Sequence, residues 1–417
     1  MRKYFKRKIE TKISELFKVF PIVSITGPRQ SGKSTLIKHY ISNSKEKWRY
    51  MSLDDREILL GLKSDPSLFT KSIDSNIAID EAQRAPELFN YLKLLVDSGF
   101  RYNKIILSGS ANFLLLKNIS ESLAGRVGIL ELLPFSFAEA HSLKSNNVIE
   151  EIISHRNIES LFAILSKKKL ANKKKLLLFI LRGGYPKLYQ DPKINRDTLL
   201  RSYISTYIER DLRDLSQIAS IENFQRVYKL LAYQSGSIIN TNSLAGDIEI
   251  DAKTVSKYIS ILESSYCCKY LNPYFSSTKK RLIKRPKIFF LDTGLLNYFN
   301  GNEDLNFMLN RPTWGNILET FVYSEIYKEI KDLNQSISLY FFRTSNGAEL
   351  DFVLEKAQNL YPIEVKSSIR IDSRDLRGIK SFNEIYGKRV PFSIVFYRGE
   401  EVKYLEKNVL AVPLQIL

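Results

Sequence analysis

The stretch Ile22-Val-Ser-Ile-Thr-Gly27-Pro-Arg-Gln-Ser-Gly32-Lys33-Ser34-Thr35 limits what this chain can fold into more than any other feature. A buried-strand pattern runs into a GxxxxGK(S/T) loop, and Leu36, Ile37, Tyr40 and Ile41 follow at helical spacing. Glycines let successive backbone N–H groups turn inward on phosphate oxygens, because no Cβ crowds the turn. This strand, loop and helix predict a phosphate-binding P-loop, and with it an α/β fold built around a nucleoside triphosphate. Gly27, Pro28, Arg29, Gln30, Ser31, Gly32, Lys33, Ser34 and Thr35 are the expected nucleotide-binding residues. Lys33 suits the β/γ-phosphates, and the Ser34 hydroxyl suits Mg²⁺ at the positive end of the following helix. ATP and Mg²⁺ are therefore the expected cofactors.

The apolar runs Ile22–Thr26, Tyr50–Leu53, Ile77–Ile79 and Lys104–Leu107 alternate with helical stretches, which predicts a parallel sheet with crossover helices over residues 1–140. The third run ends in Asp80-Glu81, a carboxylate pair at the carboxyl edge of a strand beside the P-loop. Asp80 suits the Mg²⁺ shell, and Glu81 suits polarising the attacking water. After the fourth run, Ser108-Gly-Ser110-Ala-Asn112 offers polar groups for sensing the γ-phosphate, or a simple turn.

A chain of 417 residues exceeds what one core usually organises, and 44% hydrophobic residues suffice for several folded domains. The formal net charge of +18 attracts polyanions, although charge alone does not separate nucleic acid from a membrane surface. The only cysteines, Cys267 and Cys268, are adjacent, which excludes an ordinary disulfide between them or a zinc site of their own. The longest purely apolar run, Leu176 to Leu181, is far too short for a membrane span. The amino terminus leads into charged, helix-like sequence. A reducing, cytoplasmic location is expected, with no targeting or transmembrane segment.

Residues 141–215, rich in Leu, Ile and Lys, read as a helical lid whose Lys167-Lys-Lys169 and Lys173-Lys-Lys175 face solvent. Residues 216–300 read as a winged helix. Phe224, Val227, Tyr228 and Leu231 share one helical face, a short helix spans Ser243 to Ile248, and Val255, Tyr258, Ile259 and Leu262 repeat the spacing. Lys253, Thr254, Ser256 and Lys257 would then point outward, towards phosphates or base edges. Between the strand-like runs Cys267–Tyr274 and Ile288–Leu291 stand Lys279, Lys280, Arg281, Lys284, Arg285 and Lys287, six basic residues in nine positions. A wing there would meet a DNA backbone, making DNA the expected partner; a winged helix can also dock a protein.

Residues 301–417 carry a second set of chemistry. Asp351 lies in the strand-like run Leu350–Leu354, and alternation in Tyr361-Pro-Ile-Glu364-Val-Lys366 puts Glu364 and Lys366 on one face. An upstream helix, Trp314–Ile330, supplies Glu319. Glu319, Asp351 and Glu364 suit Mg²⁺, and Lys366 suits orienting water or stabilising charge in phosphodiester hydrolysis. The same residue types are also ordinary on solvent-facing strands. The pattern resembles the PD-(D/E)xK restriction-endonuclease-like fold, with Leu350 where that motif has proline.

Across the whole chain the motifs Gly27-Pro-Arg-Gln-Ser-Gly-Lys-Ser, Leu53-Asp-Asp55, Ile79-Asp-Glu-Ala-Gln83, Leu107-Ser-Gly-Ser110, Glu121-Ser-Leu-Ala-Gly-Arg126, Leu132-Leu-Pro-Phe-Ser136 and Gly183-Gly-Tyr-Pro186 occur in order. Tyr207-Ile-Glu-Arg-Asp211, Lys284-Arg-Pro-Lys287, Asp292-Thr-Gly-Leu295, Glu349-Leu-Asp351, Ile363-Glu-Val-Lys366 and Val412-Pro-Leu414 continue the series. The chain thereby resembles bacterial and archaeal AAA-like P-loop ATPases of the AAA_14 group that carry a DUF4143 region. That resemblance implies a catalytic role for Arg126 as an arginine finger or sensor, within one chain or across a homo-oligomer, and a restriction-endonuclease-like carboxyl-terminal domain. Two functions are open: an ATP-hydrolysing enzyme acting on DNA, with or without metal-dependent cleavage, and a nucleotide-gated switch that binds a protein partner.

Overall fold

The chain is described by a computed structural model covering residues 4–417 apart from 100–103, 110–118, 120, 145, 146, 192, 207–217, 219, 278, 280, 282, 283 and 334. Every side chain of β1 (Ile22–Thr26) is buried, as a near-continuous apolar run requires of a strand covered on both faces. It is joined by β2 (Trp48–Ser52), β3 (Asn76–Asp80), β4 (Ile105–Ser108) and β5 (Val127–Glu131), all parallel, in the order β2-β3-β4-β1-β5. The apolar runs of the sequence coincide with the first four strands. β5 has no such run, because it is an edge strand whose side chains are only partly covered. Since β4 lies between β1 and β3, the ends of three strands bring Gly27, Ser108 and Asp80 side by side at one rim. Helices α1 (Glu10–Leu16), α2 (Lys33–Ser42) and α3 (Leu88–Asp97) flank the sheet.

Helices α4 (Val148–Ser154), α5 (Ile158–Leu165), α6 (Lys173–Arg182) and α7 (Arg196–Thr206) follow. Next come α8 (Ile221–Tyr233), α9 (Thr241–Ile248) and α10 (Ala252–Ser264), the last started by Asp251, which accepts the Thr254 N–H at 2.9 Å. Their apolar faces, including Phe224, Tyr228, Val255 and Tyr258, are buried together. An antiparallel ribbon of β6 (Cys268–Leu271) and β7 (Lys287–Phe290) completes the winged-helix unit.

After α11 (Thr293–Phe299), helix α12 (Trp314–Asp332) leads into a mixed sheet of β8 (Ser338–Arg343), β9 (Glu349–Lys356), β10 (Asn359–Lys366), β11 (Ser393–Tyr397), β12 (Lys403–Glu406) and β13 (Val409–Pro413). The order is β12-β13-β11-β10-β9-β8, with β11 parallel to both β10 and β13. Helix α13 (Arg377–Tyr386) crosses this sheet. One continuous apolar core runs from Leu133 to Ile416 through lid, winged helix and mixed sheet, whereas two separate cores cover the parallel sheet.

α12 joins the two halves. Its Glu325 accepts the Phe137 N–H at 3.0 Å, its Tyr327 and Lys331 reach Glu131 at 3.2 Å each, and the Lys331 carbonyl accepts from Lys12 at 3.0 Å. The Gly183-Gly-Tyr-Pro186 and Asp292-Thr-Gly-Leu295 motifs also meet: Asp292 accepts the Gly184 N–H at 2.7 Å and the Leu295 N–H at 2.9 Å. A Cβ on Gly183 would fall 2.4 Å from Asp292, so only glycine permits this approach. Among the described residues no helix is long and apolar enough to cross a membrane.

Candidate nucleotide site and the carboxyl-terminal ion cluster

The P-loop closes as a cradle because Gly27, at φ 148°, passes directly under Leu132, where a Cβ would come within 2.1 Å of the carbonyl oxygen. Gly32, at φ 96°, caps α2 with its N–H groups facing the loop. Lys33 is buried, and its ammonium donates to the Gly27 and Pro28 carbonyls at 3.0 and 2.8 Å. A cavity of about 450 Å³ opens over this loop, lined by Arg29 to Thr35 and Glu81 on one side and by Tyr4, Phe5, Phe135 and Pro186 on the other. Polar loop and apolar wall together fit a phosphate chain carrying a flat base.

At the rim, Asp80 is buried and accepts from the Tyr50 hydroxyl at 2.8 Å, from Ser108, and from the Glu81 N–H at 3.2 Å. The Tyr50 hydroxyl, bonded to Asp80, also lies near Ser34, so the two expected Mg²⁺ ligands stand on either side of it. Burial, with Asp80 beside it, pushes the Tyr50 phenol up. A serine hydroxyl and a carboxylate that converge beside a phosphate cradle are the donor set an oxygen-loving cation takes. Glu81 lines the cavity with its backbone at φ 57°, and burial raises its carboxyl above the usual range against the pull of Gln83 and Lys33. Ser110 and Asn112 lie outside the described residues.

Arg7 is a site residue the sequence reading missed. Its buried guanidinium donates to the Ser31 carbonyl at 2.9 Å, the Leu133 carbonyl at 2.7 Å and Glu139 at 3.1 Å, and so props the P-loop from below. An arginine in a basic leader carries no local signal, since its partners lie 24 to 132 positions away. Tyr4, Phe5 and Tyr50 were missed for the same reason.

Arg126 does not stand at this site. It precedes β5, where Val127 pairs with Ile22, and its carbonyl accepts the Ile22 N–H; that is the amino rim of the sheet, opposite the P-loop. There it grips Asp97 through two hydrogen bonds of 2.6 and 3.0 Å. The length of β1, at about 3.3 Å per residue, separates it from its own cradle. In this arrangement Arg126 does not reach the cradle of its own chain.

In the winged-helix unit Lys253, Lys257, Lys279, Lys284 and Arg285 are exposed, while Lys280 lies outside the described residues. Arg281, expected to meet DNA, instead pairs with Glu355 at 2.8 Å, donates to Tyr340 at 3.0 Å and stacks on Tyr274, so it ties its segment to the mixed sheet and is not offered to a phosphate. Lys287, grouped with the wing by sequence, is buried.

The expected carboxyl-terminal residues do converge. Lys366 meets Glu364 at 2.7 Å, as strand alternation predicts, and Asp351 accepts the Val365 N–H at 2.7 Å. Lys287 enters from β7, 3.7 Å from Glu319 and 2.5 Å from Glu349. Burial drives the Glu319 carboxyl up to about 8 and raises Asp351 and Glu364 as well, each reinforced or relieved by the neighbouring charges. Among the described residues no group of three or more His, Cys, Asp or Glu is disposed to hold a metal ion. As the side chains stand, with the Lys287 and Lys366 ammonium groups among them, Glu319, Asp351 and Glu364 do not fit the metal expected there.

A parallel sheet with a phosphate cradle at its carboxyl rim and an acidic pair beside it defines an AAA-like P-loop ATPase fold. The model of the "AAA domain" family AAA_14 matches residues 19–141, and two models of domains of unknown function, DUF8612 and DUF4143, match 173–306 and 314–417. The chain thus carries an AAA_14 domain and a DUF4143 region, and its amino-terminal part has the fold of an AAA-like P-loop ATPase. It is 29% identical over 397 residues to an uncharacterized protein of Mycobacterium tuberculosis, covering 94% of this chain and 80% of that one. An uncharacterized protein of Methanocaldococcus jannaschii is 26% identical over 343 residues, covering 79% and 71%. Among solved structures it is similar to a Walker-type ATPase of Pyrococcus abyssi, with 15% identity, 71% and 96% coverage and a TM-score of 0.45. The RuvB Holliday junction branch migration motor of Thermotoga maritima gives 18%, 63% and 88%, and 0.29.

Proposed function

We propose that the protein hydrolyses ATP and uses the cycle to act on DNA through its winged-helix unit. The observation that carries this reading is one hydrogen bond: the Thr26 hydroxyl and the Tyr266 hydroxyl lie 3.0 Å apart. Thr26 ends the strand that delivers the P-loop, and Tyr266 sits in the turn that ends α10, the helix bearing Lys253 and Lys257. This contact would carry a shift of the cradle to the end of α10.

Bound Mg²⁺ would neutralise phosphate charge, with Ser34 and Asp80 holding it. Lys33 leaves its own loop carbonyls to meet the phosphates, and Glu81 orients water. Tyr4, Phe5, Phe135 and Pro186 hold the base and exclude solvent. The exposed lysines and Arg285 supply the phosphate contacts, which a chain of net charge +18 reinforces at long range. Arg126 acts in this scheme only across an interface between copies, after release from Asp97.

ATP turnover measured with and without duplex and branched DNA across a salt series tests this reading. DNA should stimulate the wild type, Lys33→Ala should abolish turnover, and Lys253→Glu with Lys257→Glu should remove the stimulation while sparing the basal rate. If DNA neither binds nor alters turnover at any salt, the reading fails, and a nucleotide-gated switch for a protein partner replaces it.

A further inference from the structure

The carboxyl-terminal cluster departs from its resemblance at one residue. Glu319 projects from α12, Glu349 and Asp351 from β9 and Glu364 from β10, and into this group the winged-helix ribbon inserts an ammonium. Lys287 is 2% exposed, and its Nζ lies 2.5 Å from Glu349, 3.7 Å from Glu319 and 5.5 Å from the centre of the Phe341 ring. It is no wandering side chain. Its backbone pairs with Leu271 in β6 and bridges to Ile238, so the ribbon fixes where the charge lands.

We propose that Lys287 is a tethered cation held among these carboxylates, so that the cluster is neutralised by the protein's own ammonium and closed to a divalent metal while the ribbon is docked. Four carboxylates gathered together, Asp351 and Glu364 buried and Glu319 and Glu349 half-buried, require positive charge. A divalent ion drawn to Glu319 or Glu349 would meet Lys287 within a few ångströms, and the repulsion between the two cations keeps it out. Lys366 neutralises the other side of the cluster by gripping Glu364 Oε1. Glu364 Oε2, in a side chain 7% exposed, has no hydrogen-bond partner among the described residues, an acceptor left over once both ammonium groups are placed.

The consequence is chemical. With a monovalent, covalently tethered cation the cluster cannot activate water as a divalent metal does, and it serves to clamp the ribbon to the mixed sheet. Removing the ammonium while keeping its stem should restore an affinity for divalent ions.

The test counts Mn²⁺ bound to the full chain without nucleotide, from the electron paramagnetic resonance signal of the free ion. Wild type and Asp351→Asn should bind equal Mn²⁺, since neither exposes the cluster. Lys287→Met should gain one site, lost again when Asp351→Asn is added, and Mn²⁺ should raise the melting temperature of Lys287→Met but not of the wild type. Loss of a Mn²⁺ from wild type on Asp351→Asn would overturn the proposal, whether or not Lys287→Met folds. A folded Lys287→Met or Lys287→Gln chain that gains no site would overturn it equally.

Discussion

Replacing Arg7 with alanine probes the support of the P-loop at its most concentrated point. The guanidinium satisfies two backbone carbonyls, Ser31 and Leu133, pairs with Glu139, and lies 4.8 Å from the centre of the Phe135 ring. The paired side chains are only 6% and 13% exposed, so water cannot readily replace the lost partner. Removing one member of such a buried pair costs about 3–5 kcal/mol, a large share of a total near 5–15 kcal/mol. The freed Ser31 carbonyl should also weaken nucleotide binding by about tenfold, the equivalent of one lost hydrogen bond of roughly 1.4 kcal/mol. The pH dependence identifies the partner. Burial pushes the Glu139 carboxyl up, but the Arg7 charge and the Lys8 and Ser136 N–H groups outweigh it and hold the group below its ordinary range. A depressed folded value means the contribution is present above the unfolded pKa, near 4.5, and is lost as pH falls through the folded one. Urea unfolding should therefore separate wild type from Arg7→Ala fully at pH 7 and progressively less below about pH 4. A difference smaller than about 0.5 kcal/mol at pH 7, within the range of ordinary surface substitutions, would refute the argument. A gap that does not change with pH would remove Glu139 from it.

Gly27→Ala should lose about 2–4 kcal/mol and bind no fluorescent ATP analogue, because its Cβ meets backbone at Leu132; unchanged nucleotide affinity would show that the cradle tolerates the shift. Asp332 tests the joint between α12 and the ATPase half. Burial and the nearby Glu139 push its carboxyl up to about 7, against the pull of Lys8, Lys12 and Arg7. A raised carboxylate destabilises the fold as pH climbs from its unfolded value near 3.8 to its folded one, so Asp332→Asn should match wild type at low pH and exceed it by about 2 kcal/mol above pH 8. Equal stabilities across that window, by thermal or urea unfolding, would place Asp332 in contact with solvent.

Much of the site could be read along the chain because its parts are local. Gly27 to Thr35 are consecutive, Asp80-Glu81 end one strand, and Glu364 and Lys366 alternate on another, so spacing alone puts them on shared faces. The helices of the winged-helix unit were legible for the same reason, their apolar residues recurring at helical intervals. What spacing does not encode is which face meets which. The six basic residues between Lys279 and Lys287 read as one wing, yet Arg281 turns onto Glu355 and Lys287 into the acidic cluster, because the mixed sheet packs behind the ribbon and offers carboxylates there. Motif order likewise said nothing of direction for Arg126: a residue that begins a parallel strand lies at the rim opposite the one that ends its neighbour.

The sequence by itself determined the phosphate cradle, its acidic companions and the run of helices and strands beyond them, since each is a property of residues within a few positions of one another. Only the tertiary structure decided that Arg7 braces the loop, that Thr26 touches Tyr266, and that Lys287 fills the carboxyl-terminal cluster. Those contacts join residues far apart in the chain, and long-range packing of apolar faces, which no local period records, is what brings them together.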